Sequence, residues 1–271
     1  MKPTQPSADA MHTLLNVMSR LRDPDSGCPW DIKQTWQTII PHTLEEVYEV
    51  ADAVDRDDAD ALRDELGDLL FQVVFMARIA QDRGLFDFNE VAQGIADKMI
   101  RRHPHIFDDA EYAGEAGQKQ AWEEIKQQER HQKQQADFFA DIPVAMPALR
   151  RSQKIQKRAA RVGFDWNDWR LVIPKVQEEL DEVMAAVESG EPFARIEEEV
   201  GDVLMGASNL ARQLKVDAEN ALRLSNNKFE RRFLAVEQDL LARGITLESA
   251  DLDTMEAAWG RVKQAEKQSL S

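Results

Sequence analysis

Two clusters of acidic residues carry the chemistry this sequence offers, and they occur twice in the same order. The first holds Glu45, Glu46 and Glu49 in LEEVYEV (44–50), then Glu65 and Asp68 in DELGDLL (64–70). The second holds Glu178, Glu179 and Glu182 in QEELDEV (177–183), then Glu199 and Asp202 in EEEVGDVL (197–204). Residues three or four apart share one face of a helix. Glu46 and Glu49 therefore project together, as do Glu65 and Asp68, and two antiparallel helices would bring the four carboxylates to one place. Like charges held that close repel, and a proton or a cation must offset the repulsion. Ligands that are all oxygen suit a hard divalent ion, Mg²⁺ or Mn²⁺, rather than zinc.

The duplication extends beyond the acids. Lys98, Arg101 and Arg102 in DKMIRR match Lys228, Arg231 and Arg232 in NKFERR, and Trp122 and Lys126 in WEEIK match Trp259 and Lys263 in WGRVK. GCPW (27–30) and GFDW (163–166) stand ahead of the two acidic sets. Each half thus offers a Gly-x-x-Trp loop, two acidic helices, a Lys-x-x-Arg-Arg helix and a Trp-x-x-x-Lys helix, which is internal duplication. Acids facing Lys, Arg and Trp suit a nucleotide polyphosphate. Lys228 and Arg232 could clamp its phosphates, Trp259 could stack on the base with Lys263 adding charge, and a spare carboxylate could orient or deprotonate a water for in-line attack. Taken singly, each feature has a plainer reading: acids on an amphipathic helix as a solvated face, Trp259 as packing, Lys228 and Arg232 as a surface patch. The repeat weighs against those readings for the acids.

The chain has 271 residues, enough for two domains of ordinary size. Its 12 glycines and 2 tyrosines, against abundant Ala, Leu, Glu, Gln and Arg, predict an all-α protein. The net charge of −16 argues against nucleic acid or an anionic membrane as the main partner. One cysteine, Cys28, rules out an intramolecular disulfide and fits a reducing cytoplasm. The first ten residues lack the design of a secretory signal, and the apolar stretch near 69–80 is too short to span a bilayer. Helices are expected at 9–22, from Pro41 with Thr43 as cap and Glu46 closing a capping box, at 60–83, 88–102, 118–139, 170–188, 192–214, 217–243 and 253–268. Leu44, Val47, Ala51 and Val54 read as one apolar stripe, and Leu62, Leu66, Leu69, Val73 and Met76 as another. The basic run 150–161 reads as a solvated helix, Cys28 as a packed small residue, and His103-Pro104 as a helix stop. The prolines of ADIPVAMPAL (140–149) place the boundary between domains 1–140 and 141–271.

On these residues the chain resembles the MazG family of nucleoside triphosphate pyrophosphohydrolases in its two-domain bacterial form. LRDPDSGCPWD (21–31), ELGDLLFQVVF (65–75), KIQKRAARVGFDW (154–166) and NKFERRF (227–233) are similar to further stretches of that family. The resemblance implies tandem all-α bundles that dimerise, and Mg²⁺-dependent hydrolysis of ribo- and deoxynucleoside triphosphates to monophosphate and pyrophosphate, in nucleotide-pool housecleaning. It implies Glu179, Glu182, Glu199 and Asp202 as metal ligands and Glu178 as an accessory acid. Lys228, Arg232, Trp259 and Lys263 would bind the substrate. It also assigns activity to the C-terminal copy.

The first half keeps Glu46, Glu49, Glu65, Asp68, Lys98, Arg102, Trp122 and Lys126. Arg102 there runs into His103-Pro104, and the Lys/Arg helix stands closer to its Trp, which could misplace the clamp. A module that binds nucleotide or dimerises without cleaving is the alternative, best suited to that first copy. A di-metal oxidoreductase bundle would need Glu-x-x-His pairs, and no Glu stands three residues before any of the five His.

Overall fold

A computed structural model describes residues 8–108, 114, 117–118, 121–122, 125 and 138–269. The chain divides into two compact units, Met1–Gln132 and Lys133–Ser271. Among the described residues both are all-α, with helices joined by turns and no strand.

The first unit contains α1 (Ala8–Leu21), α2 (Pro29–Lys33), α3 (Trp36–Asp55), α4 (Ala59–Asp82), α5 (Phe88–Arg102) and α6 (Pro104–Phe107). Its centre is a hairpin of α3 and α4 with α1 laid against α4. Met18, Ile39, Val74, Phe75 and Ile79 form the buried core. Asp58 caps α4 by accepting from the Ala61 N–H at 3.0 Å. Gly84 follows the end of α4 at φ 66°, a left-handed conformation that glycine adopts without steric cost. Asp87 and Glu90 form a reciprocal capping box at α5, which ends before His103-Pro104 as the sequence predicts. The turn after α1 is held by Arg22, whose Nε pairs with Asp82 at 2.9 Å while its Nη1 donates to the Asp31 carbonyl.

The start of α3 differs from the sequence expectation. Pro41 and Thr43 do not open this helix; it begins at Trp36, capped by Thr35 and Thr38 in a reciprocal box. Trp36 supplies the reason, since its Nε1 donates to the Met76 carbonyl at 3.1 Å and anchors the first turn on α4. Pro41 lies inside the helix on its exposed side, where a lost intrahelical bond can be replaced by water. The apolar stripes differ too. Leu44, Val47 and Val54 are about half exposed, as is Leu66, while α3 buries Ile39 and Ala53. Cys28 is half-buried at the N-terminus of α2. The helix expected at 118–139 lies largely outside the described residues.

The second unit contains α7 (Ala148–Ala160), α8 (Val172–Glu188), α9 (Phe193–Gln213), α10 (Ala218–Leu241) and α11 (Leu252–Ser269). α8 and α9 form the matching hairpin, and α7 packs on α9. Gly190, φ 71°, makes the α8–α9 turn where Asp57, φ 53°, makes the α3–α4 turn. The hairpin is tight, since a Cβ on Gly206 would meet the Val176 Cγ2 at 3.1 Å. Rather than a solvated rod, α7 is half-buried along most of its length. Its glutamines tie it to α9 and the turn that follows: Gln156 Nε2 donates to the Met205 carbonyl of α9 at 2.9 Å and Gln153 Nε2 to the Val216 carbonyl beyond its end at 2.8 Å. α10 and α11 pair around Val236, Leu240 and Ala258, with Arg261 of α11 bonded to Asp239 of α10.

Candidate active site

In the second unit the hairpin brings the acids of α8 and α9 together. Carboxylate oxygens of Glu179, Glu199 and Asp202 lie within 4.8 Å of one another. Glu182 is outside that set, but its charge is felt at both Glu179 and Glu199, whose pKa values it raises. Glu199 is 2% exposed, and Arg195, one turn back, pairs with it and with Glu198. Burial raises the Glu199 pKa above the ordinary glutamate value; Arg195 opposes the rise, and Glu182 and Asp202 add to it. Burial also raises Glu179, with Glu182, Asp202 and Glu178 adding repulsion. Glu178 is half-exposed and pairs with Lys175.

The first unit repeats this on α3 and α4. Oxygens of Glu46, Glu49 and Glu65 lie within 4.8 Å of one another. Burial raises Glu46, and Asp68 and Glu49 reinforce the rise against a hydrogen bond from Gln72. Glu65 is raised by burial and by Glu49, Asp68 and Asp64. A carboxylate set whose members raise one another's pKa is a set that a hard cation would stabilise. Both clusters fit such an ion by donor type and by spacing.

The units differ beside the acids. Glu179 and Asp202 line a cavity of about 370 Å³ in the second unit, within the usual range of small-molecule sites. Lys175 shares that lining, and Phe139, Phe164 and Trp166 provide its aromatic part. Arg212 and Gln213, at the end of α9, hold the GFDW loop in place. Arg212 pairs with Asp165, while Gln213 Nε2 donates to Asp165 at 2.8 Å and to the Trp166 carbonyl at 2.9 Å. Gly206 and Asn209 line the cavity on α9. Counted from the second acid of each set, their positions in the first unit hold Gln72 and Phe75. Phe75 is 1% exposed and belongs to the core, with Trp30 edge-on against it at 6.5 Å.

The basic and aromatic residues singled out from sequence lie on α10 and α11. Arg232 pairs with Glu266 at 2.7 Å, and its guanidinium stands 5.9 Å from the Trp259 ring, which also packs on Phe229 at 5.4 Å. Lys228 and Lys263 are exposed on the same two helices. None of these four is among the residues that line the cavity. In the first unit Lys98 and Arg102 are half-buried on α5, Trp122 is helical and 37% exposed, and Lys126 lies outside the described residues. The motif reading passed over Arg195, Gln156, Asn209 and Arg212. Setting the two copies side by side would have flagged Gly206 and Asn209, since both change type one and two turns after the kept Asp.

The family model for the MazG nucleotide pyrophosphohydrolase domain matches residues 34–107 and 169–236, one segment in each unit. The nucleoside triphosphate pyrophosphohydrolase of Escherichia coli K12 is 54% identical over 254 residues, covering 93% of this chain and 97% of that protein. The Thermotoga maritima protein named nucleoside triphosphate pyrophosphohydrolase/pyrophosphatase MazG is 40% identical over 250 residues, covering 92% and 94%. Both segments of the family model contain a convergent carboxylate hairpin, and relatives align along nearly the whole length, so the chain belongs to the MazG nucleotide pyrophosphohydrolase family.

Proposed function

We propose that this chain hydrolyses nucleoside triphosphates to nucleoside monophosphate and pyrophosphate in its second unit. One observation carries the placement. Glu179 and Asp202 belong to the convergent carboxylate set and also line a cavity with aromatic walls. Glu179, Glu182, Glu199 and Asp202 are the residues that would hold Mg²⁺, with Mn²⁺ as the substitute. When bound, the ion would neutralise charge on the phosphate oxygens. Arg195 meanwhile pairs with the buried Glu199 carboxylate and opposes the rise in its pKa. Lys175 can exchange Glu178 for a phosphate oxygen, leaving Glu178 as the accessory acid toward water. Arg232 and Lys228 supply further phosphate charge, and Trp259 and Lys263 complete the substrate set. The role in this reading is nucleotide-pool housecleaning in the cytoplasm, which a single free cysteine suits.

The chain acts as a homodimer in this reading. Leu180, Met184 and Val187 on α8 and Leu204 on α9 are exposed and apolar, and helices of a second copy would cover them. The first unit has a separate reading, as an ion-binding and dimerising copy without turnover, because Gln72 and Phe75 stand where the second unit has Gly206 and Asn209. The test is product analysis with mixed triphosphates and Mg²⁺. Monophosphate plus pyrophosphate is expected, and Glu199→Gln or Asp202→Asn should abolish it while the helical circular dichroism is kept. Release of inorganic phosphate alone, or full activity in both variants, would overturn the assignment.

A further inference from the structure

Two side-chain amides in the cavity of the second unit have fixed orientations, and each leaves one polar group for a ligand. Gln156 on α7 is 9% exposed and lines the cavity. Its Nε2 donates to the Met205 carbonyl, which can only accept, at 2.9 Å. The amide therefore cannot be turned over, and its Oε1 is buried without a hydrogen-bond partner among the described residues. Asn209, one helical turn beyond Met205, also lines the cavity. Its Oδ1 accepts from Arg212 Nε at 3.0 Å and from Nη2 at 2.7 Å. A guanidinium can only donate, so this amide is fixed as well, and its NH₂ is the group left to serve a ligand. Gln156 of α7 thus brings a buried acceptor without a partner, and Asn209 of α9 a fixed amide donor, to the set of residues that lines the cavity with Phe164 and Trp166.

We propose that Gln156 and Asn209 read the hydrogen-bonding edge of the nucleobase, Gln156 accepting from a base N–H and Asn209 donating to an adjacent base acceptor. The proposal rests on the pyrophosphohydrolase reading for the triphosphate and adds the base-recognition site. A buried acceptor without a partner carries a desolvation penalty, and the penalty persists in a complex whose base brings no donor. Aromatic walls accept any flat ring, so the amides supply the discrimination. Each of the common bases offers a donor beside an acceptor on that edge, so the socket accepts them all. It rejects bases stripped of the donor, and it gives no foothold to inorganic tripolyphosphate. The first unit lacks the socket, since Phe75 occupies the position of Asn209 and is itself core.

The experiment compares adenosine triphosphate with purine riboside triphosphate, which lacks the amino donor, on the full chain with Mg²⁺. Wild type should prefer adenosine by about tenfold or more in kcat/KM. Gln156→Met should bring that ratio close to one. Asn209→Asp keeps the Arg212 pair but cannot donate, so it should lower kcat/KM for both substrates while leaving the ratio unchanged. Calorimetric binding of the two monophosphates reads the same preference without catalysis. A protein that discriminates the monophosphates but cleaves no triphosphate would refute the hydrolase reading and keep the socket. Equal kcat/KM for the two triphosphates in wild type, or an unchanged ratio in a folded Gln156→Met, would overturn the socket.

Discussion

Gln72 donates from its Nε2 to Glu46 Oε1 at 3.4 Å, while the position matching Gln72 in the second hairpin is Gly206. One copy therefore has an amide leaning on its carboxylates where the other has a glycine that lines a cavity. Installing the first-unit residue in the second should remove turnover. Gly206→Gln is expected to lower kcat/KM by about a hundredfold, because the new side chain enters the cavity and its Cβ meets Val176. Gln72→Gly should leave turnover within about a factor of three. Steady-state kinetics on both variants, with thermal melts to verify folding, checks this.

Arg22 provides a test of the first unit's architecture. Its side chain is 8% exposed, bonded to Asp82 and to the Asp31 carbonyl, with its guanidinium 5.4 Å from the Phe75 ring. Truncating it leaves the Asp31 carbonyl without its donor and removes packing from the Phe75 ring, while Asp82 keeps Arg78. Arg22→Ala should cost about 2 kcal/mol, read as a lower urea midpoint. Arg63→Ala, at an exposed pair with Asp60, should change the stability by less than about 0.5 kcal/mol.

The acids and the helix ends were legible because their signals are local. Asp87 with Glu90 and the His103-Pro104 stop need only a few residues to be read, and α5 lies where the sequence placed it. The start of α3 was misread because Thr35 and Thr38 form a box without the usual Glu or Gln, while Trp36 takes its anchor from Met76, 40 residues away. The stripe of Leu44, Val47 and Val54 was legible as apolar but not as exposed, since spacing cannot tell which neighbour covers a face. Gln156 was invisible for the same kind of reason. Its meaning comes from Met205 on another helix, and a glutamine inside a basic run gives no sign of it.

Arg232 and Glu266 provide a third test. The carboxyl of Glu266 is held below the ordinary glutamate range by hydrogen bonds from Arg232 and Arg231. A lowered folded pKa stabilises above the unfolded value, and that contribution is lost as pH falls through the folded one. The pair is therefore intact at neutral pH, where it positions Arg232 over Trp259. Arg232→Ala should raise KM for a triphosphate by about tenfold or more, and Arg232→Lys should restore little because a point charge lacks the bidentate fork. Initial rates across substrate concentration decide it.

The carboxylate clusters make a prediction of the opposite sign. Glu46, Glu65, Glu179 and Glu199 all have raised pKa values, with burial as the first cause in each. A raised folded pKa means the folded state holds the proton more tightly than the unfolded chain. That contribution is fully present below the unfolded value, about 4.3, and is lost as pH rises through the folded values. Ion-free protein should therefore lose stability from these groups as pH rises from about 4.3 through their raised folded values. A divalent ion binds the deprotonated set and reverses the loss, so its stabilisation should grow over the same range. The rise in Tm produced by millimolar Mg²⁺ is expected to be larger at about pH 7.5 than at about pH 5. Glu179→Gln should raise the ion-free Tm at the higher pH while shrinking the Mg²⁺ increment, because it removes repulsion and a ligand together. Melts with and without chelator at the two pH values test this, and an Mg²⁺ increment independent of pH would show that these carboxylates do not take up the ion.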